Sequence, residues 1–186
     1  MDNIQVNIHH DLIEECKSGR RSAQRQLYDL YSKAMYNTAL RIVQDSEEAQ
    51  DVLQESFISA FKNLNQYRGD ATFGSWLKRI IINNALNKLN KKKLKVTPLD
   101  DEHMEIEDSI SHEERKEMIM SVDRIKKAVS VLPNGFKQVF TLYQFEGYDH
   151  KEIGEIMGIT ESTSKSQYNR AKNKIRSLLT QEVIYG

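Results

Sequence analysis

One cysteine, two prolines and eight glycines in 186 residues remove several protein classes at once. The lone Cys16 allows neither a disulfide framework nor a multi-cysteine zinc site, and it suits a reducing cytoplasm. So few prolines and glycines cannot punctuate a many-turned β protein. No signal-like run is present, and the apolar stretch Ile80 to Ile82 is far shorter than the roughly 20 residues that span a bilayer. A cytoplasmic protein with no direct membrane insertion is expected. Hydrophobic residues make up 39% and charged residues 29%, which points to helical layers with large wet surfaces.

Charge of one sign is also missing overall, since 27 basic residues face 27 acidic ones. The balance conceals a pattern. Residues 1–95 carry 15 basic and 11 acidic side chains, residues 96–118 carry 2 and 9, and residues 119–186 carry 10 and 7. Two basic units separated by an acidic stretch are therefore expected. Residues 96 to about 110 show no periodicity and little bulk, so they read as a linker. Acids at 100–108 have no scaffold that would make them a metal site, and no Ser or Tyr is marked as a nucleophile. A catalytic site, a metal and a cofactor are accordingly not expected.

The most informative stretch is Tyr148 to Arg176. Asp149 followed by Glu152 is a capping box, which starts a helix by satisfying the orphan amides of its first turn. Gly158 closes that helix in the left-handed conformation, and Thr160 caps another with Glu161 at its positive end. Ile153, Met157 and Ile159 supply the apolar contacts, and Gly154 is small where the second helix must cross closely. Two helices joined by about three residues around a glycine form a helix-turn-helix. The second helix, Glu161 to Arg176, carries Lys165, Arg170, Lys172, Lys174 and Arg176 against Glu161 alone, a charge suited to phosphates. A solvated hairpin in a helix bundle would explain the charge, though not cap, glycine and basic helix together.

Along the rest of the chain, Asp11 with Glu14 suggests a capping box on a helix to about Lys17. His9 and His10 point to different faces and read as a flexible end, with metal binding as the alternative. Ser22 is placed as the cap of a helix to Val43, its stripe Leu27, Leu30, Tyr31, Ala34 and Met35, with a break near Asn37. Another helix opens near Ser46 and buries Leu53, Phe57, Ala60, Phe61 and Leu64. Asp51, Gln54, Glu55, Ile58 and Lys62 lie on its other sides. Residues 45–55 hold five acids and no base, a face suited to docking a basic protein partner, although a solvated face has the same composition. After a loop at Asn65 to Ser75, a helix from Phe73 to about Asn90 places Trp76, Arg79, Asn83, Asn87 and Asn90 on a different side from Phe73, Leu77, Ile80, Ile81 and Asn84, about 100° round the helix. An aromatic ring, a guanidinium and amides are the groups that stack on and bond to unpaired bases. Lys78 to Lys95 adds seven bases and no acid. Met118, Val122, Ile125, Val129 and Leu132 mark a further helix that Pro133, Asn134 and Gly135 break. Phe136, Val139, Phe140 and Tyr143 mark the next, closed by Gly147, and Thr180 to Gly186 reads as a frayed end.

With these parts in hand, the chain resembles a bacterial RNA polymerase sigma factor of the extracytoplasmic-function group, from about Asp11 to Leu179. E-E-A-Q-D-V-L-Q-E-S-F-I-S-A-F at 47–61 is similar to the segment that docks on the polymerase clamp helices. A-T-F-G-S-W-L-K-R-I-I-I-N-N-A-L-N at 71–87 resembles the segment that recognises and opens the minus-ten element. L-P-N-G-F-K-Q-V-F at 132–140 and the helix-turn-helix resemble the reader of the minus-thirty-five element. The resemblance implies an all-α fold of two small helical domains, residues 1–95 and 112–186, joined by a flexible acidic linker at 96–111. It implies core polymerase binding, through the beta and beta-prime subunits, by Asp51, Gln54, Glu55 and Ile58, with Phe57 turned inward. It assigns minus-ten contacts to Trp76, Arg79, Asn83, Asn87, Lys88 and Lys91, and minus-thirty-five contacts to Thr163, Lys165, Ser166, Gln167, Arg170 and Lys172. Promoter DNA and an anti-sigma factor are the implied further partners. Three positions depart from the commonest pattern: Ser164 stands where an aliphatic residue usually packs, Tyr168 where leucine is usual, and Gln167 where a base is frequent. The alternative reading is a free-standing helix-turn-helix regulator whose first half serves dimerisation or sensing.

Overall fold

The computed structural model describes residues 9–95 and 123–185, with side chains over 9–92 and 123–180. Every regular element among the described residues is helical. The chain divides into two compact units, Met1–Thr97 and Pro98–Gly186. The acidic linker expected at 96–111, and the start of the helix placed from Met118 through Val122, lie outside the described residues.

The first unit contains α1 (His10–Lys17), α2 (Arg21–Val43), α3 (Ser46–Lys62), a 3-10 turn at Leu64–Gln66, and α4 (Phe73–Lys95). Helices α2, α3 and α4 pack against one another around Leu27, Met35, Val52, Phe57, Phe73, Leu77 and Ile81, all buried. Burying side chains of this size contributes about 1.5–3 kcal/mol each. Local chemistry differs from the expected signals at several ends. Helix α1 opens at His10 after His9, with no side-chain cap, so Asp11 lies inside the first turn and Glu14 pairs with Lys17 at 2.9 Å. An acid in the first turn is favoured by the helix dipole without capping. His9 is no loose end, because its ring lies edge-on to Tyr31 at 5.8 Å.

Helix α2 starts at Arg21, before Ser22, and Arg20 instead ties back to Glu15 at 2.8 Å. It runs unbroken through Asn37, since nothing there lacks a backbone donor or crowds the preceding turn. Its buried line is Ala23, Leu27, Met35, Thr38, Ala39 and Ile42, whereas Leu30 is 55% exposed and Ala34 faces solvent. Gln44 ends it with φ 59°, a left-handed position taken by a residue other than glycine. Asp45, one residue before Ser46, caps α3 by accepting the Glu48 amide at 2.8 Å.

The second unit contains a helical stretch at 123–130 (α5), α6 (Asn134–Gln144), α7 (His150–Met157) and α8 (Glu161–Tyr185). Ala128, Val129, Leu132, Phe140, Ala171 and Ile175 form a core on which Phe136, Tyr168, Leu178 and Leu179 pack. The break between α5 and α6 is shorter than expected, since Pro133 is already the N-cap of α6 and Asn134 and Gly135 are helical. Helix α8 continues to Tyr185 rather than fraying after Leu179.

Candidate nucleic-acid interface

Local signals start and turn both helices of the helix-turn-helix. Asp149 Oδ1 accepts the Glu152 amide at 2.8 Å, and Glu152 Oε2 accepts the Asp149 amide at 2.8 Å, a complete capping box. Gly158 turns the chain with φ 66°, and Thr160 Oγ1 accepts the Thr163 amide at 3.1 Å to start α8. The crossing is closest at buried Gly154, where an added Cβ would stand 2.8 Å from the Ile159 carbonyl oxygen. Only glycine permits that approach.

The three departures in α8 now have physical accounts. Ser164 is fully buried, and its Oγ bonds His150 Nδ1 across the motif at 2.9 Å. The His150 ring stacks on Tyr143 at 4.5 Å and meets Tyr168 at 5.6 Å. Burial, then Lys165, pushes the imidazole pKa below its ordinary value, with Glu161 and Asp149 opposing. Tyr168 fills leucine's place with a ring stacked on Phe140 at 5.9 Å, while its hydroxyl donates to Gln144 Oε1 at 3.2 Å. The Gln167 amide lies against Gly135 of α6, and its Oε1 is buried without a partner.

These packings sort the sequence-predicted residues of α8. At 100° per residue, Ser162, Ser166, Asn169 and Asn173 lie within about 60° of one another, opposite buried Ser164, Ala171 and Ile175. Arg170 borders this polar row on one side. Lys165, which pairs with Glu161 at 2.6 Å, borders it on the other with Lys172, whose Nζ stands 4.7 Å over the Tyr168 ring. Thr163 is occupied at the cap, and Gln167 turns toward α6. Sequence reasoning missed Ser162, Asn169 and Asn173, although the same helical wheel would have found them once the buried side was known.

In the first unit, Asp51, Gln54, Glu55 and Ile58 share one exposed face of α3, Ile58 being 55% exposed. Helix α4 is capped by Thr72, which accepts the Ser75 amide at 3.2 Å. The loop before it is closed by Tyr67, a buried residue that sequence reasoning passed over; its hydroxyl donates to the Ala71 carbonyl at 2.6 Å. Tyr67 and Phe73 hold Trp76 at 5.3 and 5.7 Å between ring centres. Trp76 is therefore half-buried, the outer member of an aromatic wall. Arg79, Asn83, Asn87 and Asn90 continue from it within about 80° of helix surface, the three asparagines exposed.

Lys88 does not join this row. It bonds Asp51 Oδ2 at 2.8 Å, and Lys92 bonds Glu48 Oε1 at 3.0 Å. Two acids of the expected docking segment and two bases of the expected strip thus pair along the α3–α4 seam, while exposed Lys91 lies at the edge of the amide row, about 40° round the helix from Asn87 and 60° from Lys88. Among the described residues no cluster of three or more His, Cys, Asp or Glu is placed to hold a metal, and no helix is long and apolar enough to cross a membrane. Burial pushes the Cys16 thiol up to about 11, which makes it a poor nucleophile.

Fold and site define a helical nucleic-acid-binding protein, with a helix-turn-helix in one unit and a row of aromatic, guanidinium and amide groups in the other. Residues 27–94 match sigma-70 region 2, and residues 123–175 match sigma-70 region 4. The RNA polymerase sigma-H factor of Pseudomonas aeruginosa is 33% identical over 90% of this chain and 92% of its own length. The extracytoplasmic-function sigma factor SigW of Bacillus subtilis is 26% identical over 90% and 94%. Among solved structures, the sigma factor RpoE in complex with the anti-sigma factor NepR from Bartonella quintana has a TM-score of 0.60 at 19% identity, covering 84% of this chain and 96% of that one. The chain belongs to the sigma-70 family of RNA polymerase sigma factors, in the extracytoplasmic-function group. It is a transcription initiation factor.

Proposed function

We propose that the chain binds core RNA polymerase, directs it to particular promoters and holds the melted strand, acting by binding rather than by a reaction of its own. The exposed face of α3, through Asp51, Gln54, Glu55 and Ile58, docks on the beta and beta-prime subunits. Trp76, Arg79, Asn83, Asn87 and Lys91 take unpaired bases and flanking phosphates of the minus-ten element, at an unstacking cost of about a few kcal/mol per base. The polar row of α8, edged by Lys165, Arg170 and Lys172, reads the minus-thirty-five duplex from the major groove. Residues 1–95 and 112–186 are the two working domains, in the cytoplasm where the polymerase is.

The single observation that carries this reading is the coexistence of two different nucleic-acid faces. One is a capped helix-turn-helix fit for a duplex. The other is an exposed amide row beside an aromatic wall, which offers a duplex little and an unpaired base a great deal. A free-standing regulator has no use for the second. An anti-sigma partner is part of the proposal, by likeness to relatives of this group.

The test is transcription with purified core polymerase on a pool of genomic fragments. Initiation confined to a subset of fragments, and dependent on this chain, is expected; no fragment giving specific initiation rejects the proposal. The bound fragments also supply the promoter sequence.

A further inference from the structure

Three polar contacts tie α4 to α3 at intervals of one helical turn. Asn84 Nδ2 donates to Ser56 Oγ at 2.8 Å, Lys88 to Asp51 at 2.8 Å, and Lys92 to Glu48 at 3.0 Å. Residues 84, 88 and 92 ascend α4 while 56, 51 and 48 descend α3, so the contacts are rungs of an antiparallel ladder.

At 100° per residue Asn84, Lys88 and Lys92 lie on the line of buried Leu77 and Ile81, well away from the amide row at Arg79, Asn83 and Asn87. The ladder therefore runs along the core contact: its first rung lies beside buried Ala85 and Leu86, and Lys88 and Lys92 extend it past them. The rungs differ in exposure, Lys92 being 60% exposed and Asp51 64%. Ser56 is fully buried, Lys88 is 27% exposed, and Glu48 is 21% exposed with its second oxygen buried and unpartnered. Taking Lys92 away would leave the Glu48 carboxylate, 21% exposed, without its cation.

We infer that Lys88 and Lys92, with Asn84, are positioning residues: they hold α4 in register on the docking helix α3, and they do not contact DNA. This rests on the function proposed above and gives its two surfaces a mechanical link. A polymerase that grips α3 thereby fixes the angle at which α4 offers Trp76 and the amides. Asp51 belongs to both, its carboxylate 64% exposed on the docking face while one oxygen holds Lys88.

The salt dependence of DNA binding separates a positioning lysine from a phosphate contact, because each phosphate contact adds roughly 0.7 to 0.9 to the slope of log affinity against log salt. Holoenzyme is assembled with the full chain carrying Lys88→Gln, Lys88→Arg, Lys92→Gln or Lys91→Gln. It is placed on a promoter fragment recovered from the bound pool, and strand opening is read by permanganate reactivity of unpaired thymines. Lys91→Gln is expected to lower the slope by about 0.7 to 0.9. Lys88→Gln and Lys92→Gln are expected to leave the slope unchanged and to reduce the opened fraction at saturation several-fold, with Lys88→Arg restoring it. A slope lowered by Lys88→Gln as much as by Lys91→Gln overturns the inference, as does full opening by both glutamine variants. Circular dichroism confirms folding, and a lysine variant unfolded at the assay temperature would make the ladder structural and also overturn the inference. Core binding scored separately by co-purification identifies failure of the underlying reading: a wild-type chain that neither binds core nor opens DNA sinks both.

Discussion

Helices α8 and α4 both present polar faces to nucleic acid, and they are held in place by different means. The start of helix α8 is set by its own approach: a capping box, a left-handed glycine, a threonine cap and a crossing at Gly154 all fall within sixteen residues, 149 to 164. Helix α4 has a local cap at Thr72 but is tied along its length to groups 28 to 44 positions away, through the rungs from Ser56, Asp51 and Glu48. A locally built motif presents a fixed shape to a fixed shape, the duplex groove. A helix steered from a distance can answer to whatever grips its partner, which suits strand opening on command from the polymerase.

The largest test of this contrast is Gly154→Val. Its side chain would drive into the Ile159 carbonyl, 2.8 Å from the Cβ, and the overpacking cost is about 1–3 kcal/mol or more. Calorimetry should show the second unit melting early with the first unit's transition in place; a shared shift of both would break the claim of local construction.

Arg79→Ala comes next. It should cut the opened fraction about tenfold, the lower part of the range for losing one base contact, and leave closed-complex affinity nearly unchanged. Lys165→Ala should do the reverse, weakening closed-complex binding several-fold and lowering its salt slope by about 0.9. Equal effects of both on closed-complex affinity would erase the division of labour between α4 and α8.

The smallest effect concerns pH. The folded His150 pKa lies below its ordinary 6.5 because of burial and then Lys165, with Lys172 adding to the depression and Glu161 and Asp149 opposing it. The unfolded chain then binds more protons in the window between the folded value and 6.5, so stability rises with pH there. The second unit's melting temperature should fall as pH drops below about 6.5 and level off once the folded value is passed. His150→Gln should flatten that slope, and a slope that survives the substitution would assign it to other groups.

Much of the second unit was legible because its signals are short-range. Asp149, Glu152, Gly158 and Thr160 do in the structure what their spacing predicts, since caps act within a few residues. Where local signals competed, the sequence misled: Asp11 and Ser22 each looked like a cap, yet helices start at His10 after His9 and at Arg21 after Arg20, whereas the start near Ser46 is where α3 opens. Several residues can satisfy a first turn, and tertiary packing chooses among them. Leu30 belonged to the apolar period of α2 but is exposed, because a stripe shows which side is apolar and not how much of it a neighbour covers.

The candidate sites divide the same way. The periodicity of α4 placed Trp76, Arg79, Asn83 and Asn87 on one face, and that placement holds. Composition grouped Lys88 with Lys91, and only the seam with α3 parts them, by supplying an acid to Lys88. In α8 the sequence marked Ser164, Gln167 and Tyr168 as unusual without saying why. The reason is a contact with residues up to 32 positions away: Ser164 with His150, Gln167 with Gly135, Tyr168 with Phe140, Tyr143 and Gln144.

By itself, then, the sequence determined the helices, the helix-turn-helix and the identity of its family, because capping, turn conformation and amphipathic period act over a few bonds or one turn. Which charges remain available to a partner was decided by tertiary structure. An ion pair depends on distance in space, and the fold alone brings Asp51 within 2.8 Å of Lys88 and Glu48 within 3.0 Å of Lys92.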